Sequence, residues 1–229
     1  MEKFNQFSRF TDMLSTEQVE KLFSARVMVF GLGGVGGAVA HMLVRSGISQ
    51  LVIVDFDKID ETNINRQFVA NIHNVGELKT AEMSKQLKDI NLDINLTVYN
   101  LKLDENTISC VDFDNIDYVV DCIDDVSAKK LLIRKAKEKN IPILCAMGAG
   151  NRYDEIPHFE IADISKTSYD KLAKVMRKFC ESENIKNVNV CYTKQKPIKF
   201  DCKNILSVVY YPVNMATIMT AKVINDIVK

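Results

Sequence analysis

The period of the hydrophobic pattern changes several times along the chain, and each change marks an element. Val27 to Phe30 is an uninterrupted apolar run, and so is Leu51 to Val54. Short runs of this kind, without polar alternation, are what strands buried on both faces look like. Between them Val39, Met42 and Leu43 recur at helical spacing. A second helix is predicted to open at Gly76-Glu77-Leu78-Lys79 and to run through Met83, Leu87 and Ile90. A strand over 95–101 follows, with Leu96 and Val98 on one side. A strand over 116–121, a helix over 127–139 and a strand opening at Pro142 continue the series. Strands alternating with helices predict an α/β fold: a Rossmann-like, doubly wound, mostly parallel sheet with helices on both faces.

The two ends read differently. Residues 7–23 form a short helical arm in which Ser15 and Gln18 have the spacing of a capping box, and Arg9 stands between Phe7 and Phe10. Beyond Asn151 a strand is expected over 159–163 and a basic amphipathic helix over 166–179. The last segment, 205–228, alternates at Val208 and Tyr210 and then reads as an apolar helix through Met215, Ile218, Met219, Val223 and Ile227. No repeat or low-complexity linker divides the chain. The expectation is one domain over 1–229: an arm at 1–25, a core at 26–150 and a C-terminal extension at 151–229.

Composition excludes more than it selects. With 47% hydrophobic and 26% charged residues in 229, the chain can bury a full core and is not of disordered type. Thirty Lys and Arg balance thirty Asp and Glu, so there is no global field for a polyanion. Locally the balance shifts: 163–203 holds nine Lys and one Arg against three Asp and two Glu, a basic patch suited to phosphate backbones. The start lacks an apolar signal core and no run is long enough for a membrane span, so a cytoplasmic location is expected. Six cysteines without a CxxC pair and three histidines at unrelated spacings predict neither a metal cluster nor a catalytic triad; most of the thiols read as ordinary reduced cysteines, several of them in the core.

Candidate chemistry starts at Gly31-Leu32-Gly33-Gly34-Val35-Gly36, between the first strand and the first core helix. Glycines there let a phosphate approach the backbone, and the helix N-terminus offers free N–H groups. Asp55, closing the second strand, is placed for a ribose hydroxyl. These features alone leave NAD, FAD and ATP open. The polar stretch 57–67 is long for a connection between strand and helix, and such loops tend to carry function. Gly31–Gly36, Asp55, Asp124 and Gly148 all fall at strand C-terminal ends, where ligands bind in open α/β sheets. Two cations, Arg66 and Lys79, and a further carboxylate, Asp124, suit a triphosphate. The cations can hold phosphate oxygens, and the aspartate can hold Mg²⁺ or orient the reacting phosphate.

The full set is GxGGxG, then DxD at Asp55 and Asp57, NxxRQ at Asn63, Arg66 and Gln67, GxxK at Gly76 and Lys79, and DCIDD at Asp121 to Asp125. Over residues 9 to 150 this resembles the ubiquitin-activating-enzyme-like (ThiF/HesA-type) superfamily of adenylating enzymes. The resemblance implies ATP and Mg²⁺ as cofactors. Gly31, Gly33, Gly34, Gly36, Asp57 and Gln67 would line the nucleotide, Asp55 would bind the ribose, and Asn63, Arg66 and Lys79 the phosphates. Asp124 would support Mg²⁺ and adenylation, and Arg9 would reach the ATP of a partner in a homodimer. The catalytic set so implied is Asp124, Arg66, Lys79 and Arg9.

Within the superfamily, RFTDMLS near the start, MGAGNRYD at Met147–Asp154, and Ala162–Ser168 followed by Leu172–Arg177 resemble the tRNA threonylcarbamoyladenosine dehydratases. That implies ATP-dependent cyclisation of the threonylcarbamoyl group beside the tRNA anticodon, with Lys166, Lys171, Lys174 and Arg177 meeting tRNA. The alternative is an adenylyltransferase acting on the C-terminal glycine of a ubiquitin-like sulfur carrier. Cys180 or Cys191 would then form a thioester or persulfide, with a sulfur-relay or acceptor protein as partner. A nucleotide-binding regulatory module without turnover is a third reading, against which the joint presence of Arg66, Lys79 and Asp124 argues. The loop Tyr211-Pro212-Val213-Asn214 departs from the family's usual pattern.

Overall fold

The computed structural model describes residues 5–202 and 204–229. Seven strands form one sheet in the order β3-β2-β1-β4-β5-β7-β6. They are β1 (Arg26–Phe30), β2 (Gln50–Asp55), β3 (Asn95–Asn100), β4 (Tyr118–Asp121), β5 (Ile143–Ala146), β6 (Glu160–Asp163) and β7 (Asn189–Tyr192). All neighbours pair in parallel except β6, which lies antiparallel to β7 at the edge. Phe30 lies opposite both Val54 and Asp121, so the ends of β1, β2 and β4 are level. That register sets the glycine turn, Asp55 and the stretch after Asp121 side by side.

The uninterrupted apolar runs have a simple cause. Val27 and Val29 of β1 point into one core, while Met28 and Phe30 point into the other; Leu51 and Ile53 are divided from Val52 and Val54 in the same way on β2. The first core receives α2 (Thr16–Ser24), α3 (Gly36–Arg45), α4 (Lys79–Ile90) and α7 (Tyr210–Ile227), through residues such as Leu22, Leu43, Met83 and Met219. The second receives α5 (Val126–Glu138) and α6 (Lys171–Ser182), through Leu132, Ile133, Met176 and Phe179. Each fully buried aliphatic or aromatic side chain of this kind contributes about 1.5–3 kcal/mol. No helix among the described residues is long and apolar enough to cross a membrane.

Helix starts follow their caps. The Ser15–Gln18 capping box forms, with Gln18 N–H donating to Ser15 Oγ at 3.3 Å and Ser15 N–H to Gln18 Oε1 at 3.0 Å. Asp125 caps α5 through the Ala128 N–H and Asp170 caps α6 through the Ala173 N–H, each at 2.8 Å.

The expected helical arm forms as two helices, α1 (Ser8–Thr11) and α2, with a turn between them. Three expectations are corrected. The basic helix opens at Lys171 rather than Lys166, because Ile164–Lys166 is a 3₁₀ turn and Asp170 supplies the cap. Strand β7 is an addition to the expected series; it has only four residues and follows a lysine-rich stretch. The alternation at Val208 and Tyr210 is not a strand, since Tyr210 opens α7.

A candidate nucleotide site at the strand ends

A cavity of about 790 Å³ opens beyond the C-terminal ends of β1, β2, β4 and β5. Its back wall is the glycine turn. Gly31 has φ +83° and donates its N–H to Val54 O at 2.8 Å; a Cβ there would lie 2.8 Å from Cys122 O. Gly33 and Gly34 line the cavity, and a Cβ on Gly34 would meet Pro212 Cβ at 3.1 Å and Arg66 O at 3.2 Å. Gly36 has a different part from the one expected. It is buried in the first turn of α3, where a Cβ would lie 1.8 Å from Gly31 O, so it permits the turn from behind instead of lining the cavity.

Asp55 is 7% exposed and held at both oxygens: Leu32 N–H donates to Oδ2 at 2.5 Å and Asp57 N–H to Oδ1 at 2.7 Å. Burial raises its pKa, and the two N–H donors act against that rise. A carboxylate oxygen has two lone pairs, so each of these can still accept from a sugar hydroxyl.

The 57–79 connection forms the next wall. Its neck is closed by Ile59 N–H to Glu77 O and Gly76 N–H to Ile59 O, both 2.8 Å. Within it Asp60 and Asn63 form a reciprocal cap around a 3₁₀ turn, which buries Asn63. The Arg66 guanidinium donates to Thr62 O at 2.7 Å and Asn65 Oδ1 at 2.9 Å, with no carboxylate in salt-bridge range among the described residues. Gln67 is buried beside Gly33, and its Oε1 accepts no hydrogen bond. A buried acceptor left without a donor is uncommon and costs free energy. Lys79, 5% exposed, donates from Nζ to Asp57 Oδ2 at 2.8 Å, so Asp57 holds the ammonium against the wall.

Asp124 is exposed in the cavity, on the loop from β4 to α5. Beneath that loop lies a pair that sequence spacing does not reveal. Lys129 donates to Asp121 Oδ2 at 2.8 Å and Ala146 O at 3.1 Å, and both side chains are wholly buried. Ile123 N–H donates to the other Asp121 oxygen at 3.1 Å. The pair thus ties β4, α5 and β5 together under Asp124. Although burial lowers the Lys129 pKa, the Asp121 carboxylate outweighs it, and the ammonium is held above its ordinary value.

The opposite lip comes from the extension. Arg152, 5% exposed, donates from Nε to Gln195 O at 2.9 Å and from Nη1 to Gly148 O and Gly150 O at 3.2 and 2.9 Å. Asp170 accepts from Gly148 N–H at 3.0 Å while capping α6. Sequence spacing singles out neither residue; Arg152 lies within the MGAGNRYD segment, and Asp170 lies outside it. Lys171 lines the cavity, and Lys166 and Lys174 are exposed away from its walls. Arg177 is half-buried and donates to Thr167 O at 2.6 Å and Thr167 Oγ1 at 2.7 Å, so it braces the loop before α6. Arg9 is exposed on α1 and does not line the cavity of its own chain.

Cys145, Cys180 and Cys191 are buried, and Cys110 and Cys202 are exposed. Burial pushes the Cys180 thiol up to about 11 and Cys191 up to about 12. Thiols so shifted form little thiolate near neutrality and are poor nucleophiles.

A family model described as the ThiF family matches residues 6–201. A tRNA threonylcarbamoyladenosine dehydratase of Bacillus subtilis is 37% identical over 195 residues, spanning 85% of this chain and 76% of its own. A protein of the same name from Escherichia coli is 30% identical over 213 residues, spanning 93% of this chain and 78% of its own. A solved structure of an E. coli tRNA N6-threonylcarbamoyladenosine dehydratase in complex with ATP matches with a TM-score of 0.88 and 25% identity, covering 97% of this chain and 93% of that one.

Proposed function

This chain belongs to the ThiF family, and from that premise we propose that it is an ATP-dependent tRNA threonylcarbamoyladenosine dehydratase. One observation carries the reading: a single cavity gathers the glycine turn, Asp55, Arg66, Lys79 and Asp124 in a chain 37% identical to a protein of that name. Asp55 receives the ribose. Asn63, Arg66 and Lys79 receive the phosphates, with Gln67 Oε1 offering an acceptor beside the turn. Among the described residues no three His, Cys, Asp or Glu converge as a metal cluster. One open carboxylate beside two cations fits Mg²⁺, which keeps water and phosphate oxygens as most of its ligands. Asp124 would hold it, and the ion would neutralise phosphate charge.

The chemistry needs no enzyme nucleophile. The carboxylate of the threonylcarbamoyl group attacks the α-phosphorus of ATP and pyrophosphate leaves. The resulting mixed anhydride is opened by the neighbouring carbamoyl oxygen or nitrogen, which loses its proton. AMP leaves with the carboxylate oxygen, and the net change is loss of one water from the nucleoside. Ring closure within one molecule gains from high effective concentration. Arg66 and Lys79 hold the charge that develops on the phosphates. The sulfur-carrier alternative is less supported, because Cys180 and Cys191 are buried with raised pKa values.

The same reading assigns the rest of the chain. Residues 1–229 form one adenylating domain acting in the cytoplasm as a homodimer, in which Arg9 of a second copy completes the cavity. Lys166, Lys171 and Lys174 meet phosphates of the tRNA anticodon arm, and Arg177 supports them through Thr167. The test is nucleoside mass spectrometry of threonylcarbamoyladenosine-bearing tRNA incubated with the protein and Mg-ATP. Loss of one water, with AMP and pyrophosphate released, is expected. An unchanged nucleoside, with pyrophosphate exchange dependent on a Gly-Gly-ending protein, would establish the alternative instead.

A further inference from the structure

Tyr169 has a backbone that tyrosine rarely adopts. Its φ is +58°, and the other five non-glycine residues with positive φ among those described are all asparagines. Asparagine tolerates this region because its short side chain can bond locally; a bulky aromatic gains nothing there. Asp170 N–H donates to Ser168 O at 2.8 Å, so Tyr169 is the centre of a three-residue turn. Turns of this kind with positive φ are rare and strained. Such conformations persist only where the surroundings impose them, and they cluster at functional sites.

The surroundings do impose it. On one side Arg177 holds Thr167 at its carbonyl and hydroxyl, and that hydroxyl donates to Ile164 O at 2.8 Å. On the other, Asp170 is fixed by the Gly148 N–H and by its cap on α6. The clamped turn drives the Tyr169 ring outward, and the residue is 65% exposed. The Lys196 ammonium lies 5.6 Å from the ring centroid. Both residues stand on the cavity rim, since their chain neighbours Asp170 and Pro197 line it. From the same rim α6 presents Lys171, Lys174 and Lys178, all exposed, along one stripe.

We propose that Tyr169, with Lys196 on its ring, is a stacking platform for an unpaired RNA base flanking the nucleotide that enters the cavity. This rests on the function proposed above and names how its RNA substrate is positioned. Sequence-tolerant recognition of single-stranded RNA combines an aromatic face for a base with lysines for the adjoining phosphates, and this rim supplies both. Stacking gives the Tyr169 ring a use at a position where glycine or asparagine would relax the backbone. The ammonium polarises the ring and stands within reach of a phosphate. Tyr169 therefore orients substrate without touching the reacting atoms.

The full-length protein carries the test, with variants Tyr169→Gly and Tyr169→Phe. Glycine adopts φ +58° without strain, so loss of folding is not at issue, and thermal melting should hold steady or rise. Binding of a fluorescent anticodon stem–loop is measured by anisotropy, and KM for tRNA and for ATP by AMP release. Tyr169→Gly should weaken RNA binding and raise the tRNA KM roughly tenfold, leaving the ATP KM unchanged. Tyr169→Phe should match wild type. Wild-type behaviour of Tyr169→Gly overturns the platform, as do equal losses for tRNA and ATP, a phenylalanine variant as poor as glycine, or absence of RNA binding by the wild type. Because anisotropy reads binding without turnover, failure of the dehydration reaction alone is distinguished from failure of the platform.

Discussion

Replacing Lys129 with methionine removes the cation from a pair in which both side chains are 0% exposed. Methionine fills similar volume, so the main cost is electrostatic: the Asp121 carboxylate is left with the Ile123 N–H and the weak Cys145 thiol as donors and no cation, and Ala146 O gives up a bond. Removing one partner of a buried pair typically costs about 3–5 kcal/mol. In a chain of this length that corresponds to a fall in Tm of roughly 6–20 °C. The variant Asp121→Asn/Lys129→Met keeps an acceptor for Ile123 and removes the orphan charge, and should recover most of the loss. The pH dependence has a definite sign. The Lys129 pKa is raised in the fold by Asp121, so its stabilisation is complete below the ordinary lysine value of about 10.4 and is lost as pH climbs through the raised value. Wild-type stability should therefore show no loss from Lys129 deprotonation up to about pH 9. Urea unfolding followed by circular dichroism measures it. A loss under about 1 kcal/mol, or a double variant no better than the single one, would refute the argument that the pair supports the β4–α5 loop.

Asp124→Ala should lower AMP release by about 10²–10³-fold with unchanged melting, and full activity in that variant would displace the acid from the site. Gly36→Ala should unfold the nucleotide turn and abolish ATP binding by calorimetry, because its Cβ would lie 1.8 Å from Gly31 O; Gly33→Ala meets only Gln67 Nε2 at 3.9 Å and should keep the fold. Lys171→Glu with Lys174→Glu should weaken tRNA binding and reduce the slope of log affinity against log salt by roughly 0.7 for each phosphate no longer neutralised, whereas an unchanged slope would move the RNA surface elsewhere. In native protein a thiol reagent should modify Cys110 and Cys202 at once and Cys145, Cys180 and Cys191 only after unfolding. Immediate labelling of Cys180 or Cys191 would contradict their burial.

The core strands are legible in the sequence because burial on both faces leaves no polar position, as Val27 to Phe30 shows. The cavity is legible for a related reason: in a parallel sheet every strand ends at the same side, so Asp55, Arg66, Lys79 and Asp124 meet once the strands are placed. What escapes is set by long-range contacts. Lys129 looks like one more cation on a lysine-rich helix, and only Asp121 and Ala146 O decide that it is buried. Strand β7 depends on slots between β5 and β6, which are far from it in sequence. Lys166 has the charge but not the helix, because the cap at Asp170 and the tight turn at Tyr169 postpone the start of α6. Arg177 has the charge but commits two bonds to Thr167, a use that spacing does not reveal.

The contact between Gly34 and Pro212 bears on how the molecule is assembled over time. The glycine turn is made early in synthesis, yet its outer side rests on the first turn of α7, and α7 also covers α3 through Met215 and Met219. Synthesis is vectorial, and segments that emerge first must wait for distant partners. A nascent chain therefore holds a finished nucleotide fingerprint and an unfinished nucleotide turn until the last helix arrives. The glycine turn is complete only once α7 has packed against it, so Pro212 and the fingerprint nearly two hundred residues before it fold as one unit.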